Sequence, residues 1–177
     1  MSLTKNAGGQ NFTFELINTA TNGALTGATV SGFTSRDGGA QASIANSVTE
    51  LGNGVYNCSP TTTETNGNCV GFLMTASGGL PTHMMFLTLG LHRNVSNQHI
   101  TFAMFSNAGV ADPSASISVF TSKDGGAQAS GGGTITNLGN GQYDYAPTQA
   151  ETKGANVSFL FRSAGDTPIN ISIFTVS

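Results

Sequence analysis

Hydrophobic and polar residues alternate in short runs along most of this chain, and Gly, Asn, Asp and Pro bound the runs. A period of two residues is typical of β-strands that turn one side towards a core. The predicted strands lie near residues 11–17, 28–35, 40–44, 47–51, 55–59, 69–76 and 82–88 in the first half, and near 99–105, 115–122, 127–130, 134–138, 142–146, 156–163 and 169–176 in the second. The pattern therefore predicts an all-β protein with about seven short strands in each half.

The second half of the chain repeats the first. The segment Phe33–Ser43 recurs 87 residues later as Phe120–Ser130, with Lys123 in place of Arg36. Upstream the offset becomes 88, so one residue was inserted or lost between the first and second strands. Internal repeats of this kind indicate a duplicated structural unit.

The repeat defines the predicted domain organisation. We predict an N-terminal arm over residues 1–10, a first repeat over 5–89 and a second over 93–177. Only a few residues join the two repeats, which is too short a connection for independent tumbling. The sequence therefore predicts a semi-rigid pair.

The side chains of one strand face identify the core. Val70, Phe72 and Met74 lie at alternate positions, so they share one face of their strand. Their counterparts in the second repeat are Val157, Phe159 and Phe161. The chain has no Trp, which argues against the Cys-Trp-Cys centre of an antibody domain.

The small number of charged residues argues against a nucleic-acid-binding function. Charged residues make up 8% of the chain, where an ordinary soluble domain has about 25%. Lys and Arg total 6 and Asp and Glu 9, a formal net charge of −3. Six dispersed cations do not form the clustered basic surface that phosphate binding needs, so we expect no nucleic-acid partner. The neutral Ser, Thr, Asn and Gly surface suits packing beside many identical copies.

Targeting and anchoring segments are not visible in the sequence. Residues 1–6 hold no apolar run of the kind that a secretory signal carries. No stretch approaches 18 consecutive apolar residues. We expect no signal peptide and no membrane insertion.

Three turn motifs occur in both repeats and carry a family resemblance. They are Ser-(Arg/Lys)-Asp-Gly-Gly at residues 35–39 and 122–126, Thr-(Glu/Asn)-Leu-Gly-Asn-Gly-x-Tyr at 49–56 and 136–143, and Pro-Thr-x-x-Glu-Thr at 60–65 and 147–152. Together with the apolar strand that follows, they resemble an Ig-like module of tailed-bacteriophage virion proteins. The resemblance covers nearly the whole chain and implies two tandem Ig-like β-sandwiches.

The same resemblance implies a function. It describes a non-enzymatic structural protein that decorates or cements a capsid, or a tail, through contacts with other virion subunits such as major capsid or tail proteins. Such a protein is made in the host cytoplasm and present in many copies of a symmetric assembly. Attachment would use a sandwich surface or the arm Met1–Gln10. The alternative is a carbohydrate- or cell-surface-binding adhesin module; the absence of Trp and the presence of 3 Tyr lower its glycan-binding form.

No residue pattern indicates catalysis, a cofactor or a metal. The residues His83, His92 and His99 do not recur between the repeats and form no helical pair of ligands. Glu64 and Glu151 recur at a corner, where we expect them to accept hydrogen bonds from backbone N–H groups. We predict that the chain is not an enzyme.

Two further residue types have a structural interpretation. A single Asp in each of the Asp-Gly-Gly turns, Asp37 and Asp124, favours a turn over a calcium site, which takes several oxygen ligands. Cys58 and Cys69 align with Tyr145 and Asn156 in the second repeat, so the fold does not need a disulfide there. We predict reduced, structural cysteines.

Phe33 and Phe120 are the candidate interface residues. Both repeats keep this Phe, although the neighbours two residues away on the same strand face are Ser. One interpretation is an aromatic anchor at an interface. The other is a rim residue under a loop, or a β-bulge that reverses the side-chain alternation.

Overall fold

The structure is a computed structural model that describes residues 3–177, and strands dominate it. The strands are β1 (Phe12–Glu15), β2 (Val30–Arg36), β3 (Ala42–Ser43), β4 (Thr49–Gly52), β5 (Val55–Cys58), β6 (Cys69–Ala76), β7 (Thr82–Leu87), β8 (Leu91–His92), β9 (Ile100–Ala103), β10 (Ser118–Lys123), β11 (Ala129–Ser130), β12 (Thr134–Gly139), β13 (Gln142–Ala146), β14 (Asn156–Arg162) and β15 (Ile169–Val176). A single 3-10 turn, Glu151–Lys153, follows β13 among the described residues. The predicted all-β fold class is confirmed.

The strands form two sheets in each repeat. The first repeat contains the sheets β1-β5-β4 and β3-β2-β6-β7, and the second contains β12-β13-β9 and β11-β10-β14-β15-β8. Neighbouring strands are antiparallel except β8, which pairs in parallel with the end of β15. Each repeat is thus a small sandwich of one three-stranded and one larger sheet, while the repeat boundaries stay a prediction.

Several strand boundaries differ from the prediction by one to three residues, and one short strand was not predicted. The first strand ends at Glu15 rather than at residue 17, because the chain turns at Asn18, whose side-chain oxygen accepts hydrogen bonds from the N–H groups of Ala20 and Thr21. Strand β8 was not predicted, because two residues are too few to show a period. Its pairing fixes the join to the second repeat.

Each repeat has its own core between its two sheets. In the first, Phe12 and Phe72 lie 4.8 Å apart between ring centroids, and in the second Phe102 and Phe161 lie 3.8 Å apart. The alternation correctly predicts these cores: Val70, Phe72 and Met74 in the first and Val157, Phe159 and Phe161 in the second are all fully buried.

The N-terminal arm packs against its own repeat. Leu3 is buried in the first core, and the N–H of Asn6 donates to the carbonyl of Thr65 at 3.1 Å. The hydroxyl of Thr65 donates to the carbonyl of Ala7 at 3.0 Å. Residues 1 and 2 of the predicted arm lie outside the described part of the chain.

The recurring corner glutamates tie loops to the sheets, as the sequence predicts. Glu64 accepts hydrogen bonds from the N–H groups of Thr61 at 2.6 Å and Ala45 at 2.8 Å. Glu151 accepts from the N–H of Thr148 at 2.7 Å and from the hydroxyl of Tyr145 at 2.5 Å. Both carboxylates are buried and fully used in holding the fold.

Candidate binding surfaces

Equivalent residues of the two repeats differ in exposure on one sheet face. On β6, the outward side chains of Cys69 and Leu73 are 1% and 0% exposed, although neither belongs to the first core. Their counterparts on β14, Asn156 and Leu160, are only half-buried. The outer face of β6 and β7 is therefore covered in the first repeat, and its equivalent is open in the second.

The covering surface is the three-stranded sheet of the second repeat. Its outward side chains Thr101, Ala103, Gln142 and Asp144 are at most 2% exposed. The counterparts in the first repeat are Thr13, Glu15, Val55 and Asn57, which are exposed or half-buried. The two repeats thus pack sheet against sheet, and we call this contact the joint.

Glycine permits the close approach at the joint. A Cβ added to Gly71 would lie 2.4 Å from Thr101 Oγ1 and 2.6 Å from Gln142 Nε2. A Cβ added to Gly38 would lie 2.6 Å from Asp144 Oδ2 and 2.7 Å from His99 Nδ1. A side chain at either position would force the facing side chains to shift.

An amide chain links the repeats at one edge of the joint. Gln41 Nε2 donates to Gln142 Oε1 at 2.7 Å, and Asn140 Nδ2 donates to Gln41 Oε1 at 2.5 Å. The counterpart of Gln41 in the second repeat, Gln128, lies on an exposed loop. The repeated Ala-Gln-Ala-Ser motif is therefore used for a contact in the first copy.

A buried acid and its histidine partner lie inside the joint. Asp144 Oδ2 and His99 Nδ1 are 2.8 Å apart, and Asp144 is 1% exposed. Burial raises the pKa of Asp144, and the hydrogen bond from His99 opposes that rise. Asp144 Oδ1 and Gln142 Nε2 have no hydrogen-bond partner among the described residues.

A crevice between the repeats contains the ring of His83. It is lined by β7, β9 and the core-facing side of β15, including Met85, Ala103 and Ile171. Burial in this apolar setting lowers the pKa of His83 to about 3, so the ring is neutral at physiological pH. The arrangement gives His83 a packing role at the joint.

The two cysteines are free and buried, in agreement with the prediction. Burial raises the pKa of both thiols to about 12. Cys58 belongs to the first core, and Cys69 Sγ lies 3.8 Å from Thr101 Oγ1 in the joint. Neither thiol has the lowered pKa of a reactive nucleophile.

Phe33 and Phe120 lie half-buried on the outer faces of β2 and β10. They pair across the sheet with Leu73 and Leu160 respectively. Neither ring belongs to a core cluster, and the side-chain alternation is regular at both positions. Their role at an interface stays a prediction.

The outer face of β10, β14 and β15 is uncovered, whereas part of its equivalent in the first repeat lies in the joint. We call it the open face and define it by its outward side chains: Phe120, Ser122, Asn156, Ser158, Leu160, Asn170, Ser172 and Phe174. Phe174 is 79% exposed. Ser158 and Ser172 are joined by a hydrogen bond of 2.7 Å between their hydroxyls. The face combines hydroxyl, amide and aromatic groups, and Arg162 at the end of β14 adds one positive charge at its edge.

The turn aspartates that recur in both repeats accept hydrogen bonds from backbone N–H groups. Asp37 Oδ1 accepts from the N–H groups of Asn68 and Cys69, each at 2.8 Å, and Asp124 Oδ1 accepts from Asn156 N–H at 2.8 Å.

No group of three or more His, Cys, Asp or Glu side chains that could hold a metal ion occurs between residues 3 and 177. In that same part of the chain, no helix is long and apolar enough to span a membrane.

Sequence reasoning missed the joint and Phe174. The signal was present as differences between the copies at alternate positions of one strand, where Gly71 and Cys69 are replaced by Ser158 and Asn156. Where equivalent strand positions carry an apolar or small residue in one repeat and a polar residue in the other, only the first repeat has that strand face covered by another sheet.

Comparison with known proteins places few limits on function. No family model and no curated protein matches the chain. Similar solved structures include the adhesin InvE of Yersinia pseudotuberculosis, at 13% identity and a TM-score of 0.33, covering 98% of this chain and 56% of InvE. Invasin, described as a bacterial integrin-binding protein, is similar at 13% identity and a TM-score of 0.35, covering 99% of this chain and 38% of invasin. The amphioxus IgVJ-C2 molecule is similar at 10% identity and a TM-score of 0.22, covering 99% and 100%.

These likenesses are too distant to transfer a ligand. The chain spans little more than half of InvE and less than half of invasin. None of the three is described as a virion protein. The resemblance to virion modules is therefore carried by the turn motifs of the sequence alone.

Proposed function

We propose that this chain is a non-enzymatic binding module of the adhesin type, which attaches to a cell surface through protein contacts made by the open face. The observation that carries the proposal is the contrast between equivalent faces. One is closed by the joint, while the other presents Phe174 at 79% exposure. Exposed aromatic side chains on a rigid scaffold are typical anchors of protein interfaces.

The residues that suggested other chemistry are engaged elsewhere. Glu64 and Glu151 hold corners, Asp37 and Asp124 hold turns, and these carboxylates accept hydrogen bonds from backbone N–H groups. These contacts support a role for the four carboxylates in holding the fold together. Apart from Arg162 at its edge, the open face is uncharged, which favours recognition by shape, hydroxyl and amide groups over steering by charge.

A cell-binding assay tests the proposal. Fluorescently labelled protein would be incubated with bacterial and mammalian cells, before and after protease treatment of the cells, and bound fluorescence measured. We expect saturable binding that the Phe174→Ser substitution weakens and that protease treatment of the cells removes. Val110→Ser is the matched control, because Val110 is 64% exposed and lies outside the open face.

Two results would contradict the adhesin proposal. The first is an absence of saturable binding to every cell type. The second is binding that Phe174→Ser and Val110→Ser leave equally unchanged. Binding that survives protease but is lost after glycosidase treatment would replace protein contacts by a glycan ligand.

A virion role is the second candidate, and the turn motifs that recur in both repeats favour it. On this hypothesis, the protein remains with purified phage particles in a fixed copy number measured by mass spectrometry. Phe33→Ser and Phe120→Ser should then weaken attachment without lowering the melting temperature. Unfolding of these variants would show instead that both rings are structural.

A further inference from the structure

The joint is an internal example of how this fold binds a copy of itself. In it, the outer face of β6 and β7 receives the outer face of β9 and β13. The same two kinds of face are free elsewhere on the chain. One is the open face, and the other is the outer face of β1 and β5, defined by Thr13, Glu15, Asn53, Val55 and Asn57, which we call the receiving face.

The open face keeps the elements that make the joint. Leu160 stands where Leu73 is completely buried, and Gln128 stands where Gln41 links the repeats. Gly125 takes the place of Gly38. A Cβ added to Gly125 meets no described atom within 4 Å, whereas at Gly38 it would meet the joint, so the space above Gly125 is free for a partner.

The receiving face keeps the matching elements. Thr13 corresponds to Thr101, whose hydroxyl lies against Gly71. Asn53 corresponds to Asn140, which donates to Gln41. Asn57 supplies an amide where Asp144 supplies a carboxylate, and the acid that docking would cover is Glu15, which takes the place of Ala103.

We propose that the open face of one molecule binds the receiving face of a second copy of this chain, head to tail, in the arrangement of the joint. The inference rests on the proposed function, since it names the partner of the same open face: the chain on one surface would adhere to the chain on another. A contact between two different faces is heterologous, so it leaves a free face at each end and permits longer assemblies.

The differences from the joint set the strength of this contact. Ser158, Asn170 and Ser172 replace Gly71, His83 and Met85, which makes the open face more polar than its covered equivalent. Polar faces are typical of reversible association. A Cβ at the position of Gly71 would lie 2.4 Å from the threonine hydroxyl, so Ser158 holds two copies further apart than the repeats are at the joint.

Sedimentation velocity over a series of protein concentrations tests the contact with the purified full chain. We expect a monomer at low concentration and dimers and larger species as concentration rises. Ser158→Gly should tighten association about tenfold, because it restores the spacing of the joint. Phe174→Ser should weaken association by a similar factor, and Val110→Ser should leave it unchanged.

A complementation experiment tests the head-to-tail geometry. Ser158→Arg blocks the open face and Thr13→Arg blocks the receiving face, and each variant alone should be monomeric. Their mixture should form a one-to-one dimer and nothing larger, because only one pair of intact faces remains. Circular dichroism checks that both variants stay folded.

Distinct outcomes separate this inference from the proposed function. A wild-type chain and a Ser158→Gly variant that both stay monomeric would overturn self-association. A dimer that neither Arg substitution affects would overturn it too. If cells still bind the wild type and fail to bind Phe174→Ser, the adhesin proposal stands with a different partner.

Discussion

At the residue scale, the absence of one side chain decides how the repeats meet. Gly71 lies on a strand face that contacts Thr101 and Gln142, and a Cβ would lie within 2.6 Å of a polar atom of each. At the equivalent position, Ser158 keeps its side chain because no facing sheet covers it. Comparing these two positions shows how much stability a side chain costs when a facing sheet covers the strand.

Gly71→Ala should lower the free energy of unfolding by about 1–3 kcal/mol, the range for overpacking a close contact. Ser158→Ala should change it by less than about 0.5 kcal/mol, as surface substitutions do. Urea denaturation of both variants measures the difference. Equal effects at the two positions would contradict close packing at the joint.

The neutral ring of His83 makes stability depend on pH. The pKa of His83 in the folded chain is about 3, below the ordinary value of 6.5. Between these two pH values the ring is protonated in the unfolded chain and neutral in the folded chain. This contribution to stability is complete above pH 6.5 and falls as pH drops towards 3, by about 1.4 kcal/mol per pH unit.

Urea denaturation at pH 7, 6, 5 and 4 measures this slope. His83→Asn, which introduces the residue of the second repeat, removes the ionisable ring and serves as the reference. The unfolding free energy of the wild type minus that of the variant should fall steadily below pH 6.5. A difference that is constant with pH would show that the ring titrates normally in the folded state.

Residue-level prediction from the sequence succeeded for the cores and not for the joint. Alternation names Val70 and Phe72 because their own sandwich buries them. Leu73 faces the other way and is equally buried, by the three-stranded sheet of the second repeat. A strand buried on both faces shows no alternation of apolar and polar residues. The sequence of the first repeat alone therefore does not reveal that β6 contacts a second sheet. Comparison of the two copies supplies that signal.

At the element scale, the amide chain at Gln41 locks one edge of the joint. The loop before β3 carries this residue in both repeats, but only Gln41 has partners in the facing sheet. Gln142 is completely buried, so its side-chain oxygen depends on Gln41 for a donor.

Gln41→Ala should lower the free energy of unfolding by about 1–3 kcal/mol, because it leaves the buried Gln142 oxygen without a donor. Gln128→Ala is the matched control and should have an effect below about 0.5 kcal/mol, since Gln128 is exposed. Thermal and urea denaturation report both values. Indistinguishable variants would show that the amide chain does not hold the edge.

Most strands could be predicted because each carries its own alternation. The sequence identifies β6 and β13 with their observed bounds, 69–76 and 142–146. Strand β8 has two residues and takes its conformation from pairing with β15. The candidate surface was predicted in part: Phe120 lies on the open face, while Phe174 was overlooked on a strand whose residues Ile169, Ile171 and Ile173 face the core.

At the scale of the whole molecule, the joint makes two sandwiches behave as one body. The contact buries Cys69, Leu73, Thr101 and Gln142, so separating the repeats would expose apolar surface and an acid held by His99. A pair coupled in this way presents the open face and the receiving face at a fixed mutual orientation.

Unfolding should therefore be a single cooperative transition for the whole chain. Gly71→Arg would force the sheets apart, and two separate transitions should appear in differential scanning calorimetry, one for each core. Leu51→Arg, on an exposed position of the first repeat, is the control and should keep one transition. Two transitions in the wild type would show that the repeats fold independently.

The joint fixes the orientation of one repeat relative to the other, and residual dipolar couplings measure that orientation in solution without any substitution. Backbone N–H couplings from the two repeats of the intact chain would be fitted separately to the structure. We expect one alignment tensor, equal in magnitude and orientation for both repeats. Two tensors that differ in magnitude would mean that the repeats move independently, which would contradict the joint and the fixed presentation of the open face.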